Sequence, residues 1–207
     1  MGAIPELLEP QQLALRKCGQ WAVYRDDQAD RPLPRIVYPG AFHPLHAGHR
    51  RIAEIASARL TAPVEFEISL LNVDKPRLSY QEVERRIGQF SADATIWLTQ
   101  TPTFAEKSRL FPNSVFLVGA DTLFRIVDQR YYGNDPNALD AAIREVTANN
   151  CRFLVFGRQV GQQFWTLQDI AIPVELRKRC EGVAAEEFRM DVSSTVLRRQ
   201  ADNPYDR

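Results

Sequence analysis

The chain's three histidines, His43, His46 and His49, all lie in the stretch Tyr38-Pro39-Gly40-Ala41-Phe42-His43-Pro44-Leu45-His46-Ala47-Gly48-His49. Imidazoles concentrated in this way can hold a metal, move protons or donate hydrogen bonds to an anion. A helical metal face does not fit, because positions three and six apart drift off one face and Pro44 and Gly48 interrupt any helix. A zinc site within a loop stays open, although no Cys pair or H-E-x-x-H spacing accompanies it. Capping or core packing accounts for one of the three better than for all of them. The flanking elements favour an anion. Pro34-Arg35-Ile36-Val37-Tyr38 reads as a buried strand, and Ile52, Ile55, Ala56 and Leu60 recur at helical spacing. A strand-to-helix turn binds phosphates, because free backbone N–H groups and the positive helix end point there.

The elements that must position this turn alternate along the chain. Val64 to Leu71 reads as a second strand. Tyr80, Val83, Ile87 and Phe90 mark an amphipathic helix, supported by the i,i+4 pair Glu82 and Arg86. Thr95 to Thr99 is a third strand, followed by a short helix at Ala105 to Leu110. Val115 to Val118 is a fourth strand, ending at Gly119-Ala120-Asp121 and a helix that runs to about Tyr131. Leu139, Ala142, Ile143 and Val146 define a further helix. Arg152 to Phe156 reads as a fifth strand and Val183 to Phe188 as a sixth. Such alternation predicts an α/β protein with a doubly wound parallel sheet and flanking helices, which binds ligands at the carboxyl ends of its strands. Residues 1 to 33 are expected to form a helical extension, with Leu15, Cys18, Trp21 and Ala22 on one side, that packs on the main domain to cover Trp21, and a polar linker from Arg25 to Pro34. Residues 34 to 207 form the main domain.

Composition narrows the function classes. Lys plus Arg and Asp plus Glu balance at 26 each, which argues against a duplex nucleic-acid partner that needs a basic face. No apolar run approaches the ~20 residues of a membrane span, and no secretory signal is read. Cys18, Cys151 and Cys180 are scattered and form no C-x-x-C, as expected of reduced thiols in a cytoplasmic protein. Small-molecule substrates are the expected partners, and a homo-oligomer is allowed. Neither the dinucleotide fingerprint G-x-G-x-x-G nor the P-loop G-x-x-x-x-G-K-[ST] is present.

The constellation resembles the nucleotidylyltransferases with an H-x-G-H motif. Their pattern G-x-F-x-P-x-H-x-G-H reads here Gly40-Ala41-Phe42-His43-Pro44-Leu45-His46-Ala47-Gly48-His49, and their second motif, S-S-T-x-[IL]-R, reads Ser193-Ser194-Thr195-Val196-Leu197-Arg198. Gly119-Ala120-Asp121 is a third anchor, and the resemblance covers residues 34 to 203. Within the superfamily the chain looks most like nicotinamide-nucleotide adenylyltransferases and relatives that carry N-x-D-K-P, here Asn72-Val73-Asp74-Lys75-Pro76. Class I aminoacyl-tRNA synthetases share the H-x-G-H idea, but they are much longer and carry a K-M-S-K-S loop that is missing here.

The resemblance implies a Rossmann-like fold and nucleotidyl transfer. A phosphate-bearing acceptor, nicotinamide mononucleotide for this branch, attacks the α-phosphorus of ATP, and pyrophosphate leaves. ATP is a substrate, and Mg2+ accompanies its triphosphate, held by phosphates more than by protein. No metal held by the protein itself is expected. His46 and His49 would be the catalytic donors. Gly40, Ala41, Phe42, His43, Gly48, Gly119, Asp121, Ser193, Ser194, Thr195 and Arg198 would line the nucleotide, with the last four on its β- and γ-phosphates. Asp121 could equally be a plain helix N-cap. Lys75, Thr103, Lys107 and Arg158 follow strand ends where the acceptor phosphate could lie, and Trp97, within the third strand, suits the strand core better than stacking on the acceptor's base. His43 stands where most family members carry Asn or Asp; a neutral imidazole can replace an amide donor. Other readings are the same chemistry on phosphopantetheine, or on a sugar or polyol phosphate with CTP, a nucleotide-binding regulatory protein without turnover, and a metal-binding protein.

Overall fold

The computed structural model describes residues 4, 8, 9, 11–71, 73 and 76–190. Among them the chain builds an α/β fold on one mixed eight-stranded sheet with helices on both faces. In chain order the elements are β1 (Gln12–Lys17), β2 (Gln20–Arg25), β3 (Ile36–Pro39), α1 (Ala47–Leu60), β4 (Val64–Ser69), α2 (Tyr80–Ile87), β5 (Ile96–Thr99), α3 (Phe104–Leu110), β6 (Val115–Gly119), α4 (Ala120–Val127), α5 (Pro136–Ala148), β7 (Arg152–Phe156), β8 (Arg158–Val160), β9 (Gln163–Trp165), α6 (Val174–Arg177) and β10 (Cys180–Gly182). The sheet order is β10-β7-β6-β3-β4-β5-β1-β2, and β8 with β9 forms a separate hairpin. Strands β10 through β5 run parallel. From β3 the chain adds β4 and β5 on one side, then crosses back to add β6, β7 and β10 on the other. The carboxyl ends of β3 and β6 therefore flank the crevice where connections leave in opposite directions.

Side chains alternate across the sheet as a pleated backbone requires. Ile36, Tyr38, Ile68, Ile96, Leu98, Leu117 and Leu154 face the layer built by Ile52, Ile55 and Ala56 of α1 and Val83 and Ile87 of α2. Val37, Trp97, Phe116, Val118, Phe153 and Val155 face Leu110 of α3, Leu123 and Ile126 of α4 and Leu139, Ile143 and Val146 of α5. The central strands are covered on both faces, which explains their continuous apolar runs. No helix among the described residues is long and apolar enough to cross a membrane.

Four expectations are corrected. The helical extension expected over residues 1 to 33 is absent over Gln12–Arg25, which forms a β-hairpin that joins the main sheet. Leu13 and Leu15 alternate with Ala14 and Arg16, a period of two, and the chain reverses through Cys18 and Gly19, both at positive φ (49° and 76°) as a two-residue hairpin turn demands. The sheet is not all parallel, because β1 pairs antiparallel with both β5 and β2. The strand expected at Val183 to Phe188 lies earlier, at Cys180–Gly182; Val183 and Phe188 are instead buried from a coil. The segment expected as a linker is tied down, since Arg31 donates to the carbonyls of Asp26 and Leu110.

One buried ion pair crosses the sheet face. Lys107 Nζ donates to Glu67 Oε1 and to the Thr101 carbonyl, both at 2.7 Å, and Thr99 Oγ1 donates to the same carboxylate oxygen. The two charged side chains are only 5% and 1% exposed. The pair fixes the loop after β5 by its carbonyl at Thr101. Removing one partner strands a buried charge, so Lys107→Met is expected to destabilise the fold by about 3–5 kcal/mol, and Glu67→Gln with Lys107→Met to recover most of that loss. Urea unfolding measures both. A loss below about 1 kcal/mol in the single variant would mean that water reaches Glu67.

Candidate active site

The turn after β3 carries the histidines into the start of α1, beside the reversal of the sheet between β3 and β6. Phe42 is its anchor. The Phe42 ring is 1% exposed and meets Tyr38, Phe66 and Phe90 edge-on at centroid distances of 5.4, 5.5 and 5.3 Å. Gly40 makes this possible, since a Cβ there would stand 2.6 Å from Phe42 Cζ. Phe42, expected among the residues lining the nucleotide, thus serves the turn through its buried ring. His43 follows with its Nε2 3.3 Å from the Arg85 guanidinium on α2. Ala41 is exposed.

His46 is the N-cap of α1, in the extended region (φ −134°, ψ 172°). Its backbone N–H donates to His49 Nδ1 at 3.2 Å. A neutral imidazole that accepts at Nδ1 carries its proton on Nε2, so the helix start itself sets His49 as an Nε2–H donor. The two rings stack, with centroids 3.8 Å apart and planes 26° from parallel. Tyr38 and Phe42 flank His49 at 6.0 and 5.1 Å. Gly48 leaves room for this stack, because a Cβ there would lie 3.0 Å from His46 Cε1. Met190 also borders Gly48, its Sδ 4.0 Å from that position. The first turn of α1 holds no acidic residue, which suits an anion at the positive helix end.

Electrostatics keep both rings neutral. Burial pushes His46 down to about 4 and the Arg158 guanidinium adds to this. Burial pushes His49 down to about 3, with further lowering by His46 and Arg158. The ordinary value is near 6.5. Neither ring nitrogen of His46 has a hydrogen-bond partner among the described residues, although the residue is only 8% exposed. A buried donor left unmade costs about 1–3 kcal/mol, which an anion accepting its proton would offset.

Asp121 follows β6, the strand paired with β3. It lies in the first turn of α4, whose N-cap is Gly119, so it is not an N-cap. A Cβ at Gly119 would stand 2.6 Å from Asp121 Oδ1, and the carboxylate pairs with Arg125 at 3.4 Å. Burial raises the Tyr38 hydroxyl above its ordinary range; Arg158 opposes that and Asp121 adds to it. Tyr38 thus shares one field with the histidines, Arg158 and Asp121.

Three of the expected acceptor residues, Trp97, Thr103 and Lys107, are committed elsewhere. Trp97 is fully buried in the sheet, donating from Nε1 to Glu65 at 2.6 Å. Lys107 is committed to Glu67. Thr103 caps α3, accepting from the Glu106 N–H at 3.3 Å and donating to the Glu106 carboxylate at 2.7 Å. Lys75, Ser193, Ser194, Thr195 and Arg198 lie outside the described residues. Tyr38, Arg85 and Gln89 were not legible as site residues; Tyr38 had only its place at a strand end, and the other two had no signal. Among the described residues no three His, Cys, Asp or Glu side chains converge as a metal site. Comparison of the chain with protein-family models gives no matching family, and comparison with curated proteins gives no match.

Proposed function

We propose that this chain is a nucleotidyltransferase that transfers the adenylyl group of the magnesium complex of ATP to a phosphate-bearing acceptor and releases pyrophosphate. The observation that carries the reading is the neutral stacked pair His46–His49 at the start of α1, with Arg158 in its field and the His46 nitrogens unengaged among the described residues. The acceptor phosphate oxygen attacks the α-phosphorus in line, the bond to the bridging pyrophosphate oxygen breaks, and negative charge grows on the phosphate oxygens. Preorganised N–H donors meet that charge, each worth about 10²–10³ in rate. His49 Nε2–H, a His46 ring N–H and the free backbone N–H groups of α1 are such donors, and Arg158 adds a fixed positive charge.

Further support comes from the sheet. The reversal of its parallel strands at β3 supports a Rossmann-like, doubly wound reading, in which ligands lie outside the carboxyl ends at the reversal; the antiparallel β1–β2 pair extends one edge of the mixed sheet. Asp121, which follows β6, suits the ribose hydroxyls. Met190, beside Gly48, brings the chain to the histidine turn just before the Ser193-Ser194-Thr195 motif. The choice of nicotinamide mononucleotide, giving NAD, rests on the resemblance of Asn72-Val73-Asp74-Lys75-Pro76 and Gly119-Ala120-Asp121.

Product analysis with ATP, Mg2+ and each acceptor tests the reading. NAD with pyrophosphate is the expected result. Dephospho-coenzyme A, or a CDP-linked product from CTP, would replace the acceptor and keep the reaction class, while binding of ATP without any product would favour a regulatory protein. In the active enzyme His46→Ala and His49→Ala are each expected to lower turnover at least ~10²-fold with the fold retained. Near-normal turnover in either folded variant removes that residue from the chemistry.

The histidine protonation states are checked separately by NMR, with single variants assigning the three imidazoles. Because both folded-state values are depressed, their contribution to stability is complete above the ordinary 6.5 and is lost as pH falls towards about 4 and 3. Both rings are expected to stay neutral at pH 5.5 and to take up protons more readily when pyrophosphate is bound. Titration of either near 6.5 without ligand would mean a solvated ring.

A further inference from the structure

The histidine turn is irregular from Gly40 to Leu45, and Phe42 sits in the left-handed region at φ 45°, where a bulky side chain is rarely held. Something outside the turn must hold it there. Gln89, directly after α2, reaches the turn with its side-chain amide. Its Nε2 donates to the Phe42 carbonyl at 2.8 Å, and its Oε1 accepts from the Leu45 N–H at 2.8 Å. The same Nε2 donates to the Arg86 carbonyl at 3.2 Å, which ties the amide to its own helix.

We propose that Gln89 is a positioning residue for the histidine turn, closing the loop from Phe42 to Leu45 with a single amide so that His46 enters α1 in register with His49. Only an Asn or Gln side chain presents a neutral donor and acceptor side by side, and the two bonds satisfy a carbonyl and an N–H that the turn itself leaves unpaired. Leu45 immediately precedes His46, whose N–H fixes the His49 tautomer. A shift at Leu45 therefore passes directly to both imidazoles. This inference rests on the proposed transferase reading for its kinetic consequence but not for its geometry.

The test compares wild type with Gln89→Met, which keeps the length and loses both bonds, and Gln89→Glu at pH 8, whose carboxylate can still accept from Leu45 but faces the Phe42 carbonyl. Both variants are expected to lower kcat by about 10²-fold, with Glu the poorer, while KM for ATP changes by less than about 3-fold. Amide hydrogen exchange at Leu45 should accelerate in Gln89→Met, and the His46 and His49 ring signals should move. Unchanged kcat in folded Gln89→Met, or a Leu45 amide as protected as in wild type, overturns the proposal, as does an equal effect on kcat and KM. If Gln89→Met does not fold, Gln89→Glu carries the same readouts. If wild type turns over no acceptor, the transferase reading fails, and Leu45 exchange with the ring signals still decides the clamp.

Discussion

Everything at the site follows from the reversal of the sheet at β3. A parallel crossover is right-handed, so a chain that travels one way along the sheet lays its helix on one face, and a chain that travels the other way lays it on the opposite face. Stepping from β3 to β4 puts α1 on one face, while stepping from β6 to β7 puts α4 and α5 on the other. The two connections part at the carboxyl ends of the neighbouring strands β3 and β6, the place where sheets of this kind take their ligands. His46 and His49 follow β3 and Asp121 follows β6, with Arg158 arriving just after β7.

The electrostatic character of the histidine turn is built from withdrawal of water rather than from a crowd of charges. Two imidazoles are held neutral mainly by burial, and one guanidinium discourages their protonation. A neutral N–H donates without bringing a counter-charge that must be desolvated, and its cost when unmade falls on the ligand-free state. Motif glycines serve the same end by space: Gly40 admits the Phe42 ring, Gly48 admits the His46 ring, and Gly119 admits the Asp121 carboxylate. The glycines of this motif are therefore holes cut for particular side chains.

How much of this could be read from the chain depends on the range of the contact. The histidine turn and the strand–helix alternation are local, so residue type and period revealed them, and β3, α1, β4, α2, β5, α3, β6 and β7 lie close to where periodicity put them. The β1–β2 hairpin was misread because Leu15, Cys18 and Trp21 also fall at near-helical spacing, and only pairing with β5 decides the matter. Lys107 reads from the sequence as a candidate for the acceptor at a strand end; its partner Glu67 lies forty residues away, and nothing local marks a carboxylate that will be buried. Gln89 was silent for the same reason, since its bonds to Phe42 and Leu45 span 47 and 44 residues. Phe42 was legible as a motif member, but its work in the core was not.

The hairpin misread as a helix bears on how the molecule stays dispersed. All residues of β5, Ile96–Thr99, are buried, and its outer backbone would present an open, apolar template to any passing strand. Strand β1 covers that template, and β2 carries the exposed rim outward to Gln20, Ala22, Val23 and Arg25, with solvent on both sides of its pleat. A short antiparallel ribbon is a poor seed for further growth. The price of an otherwise parallel sheet is a sticky margin, and these two strands act as its hem, so that a chain lacking them would be at risk of aggregation even with an intact histidine turn.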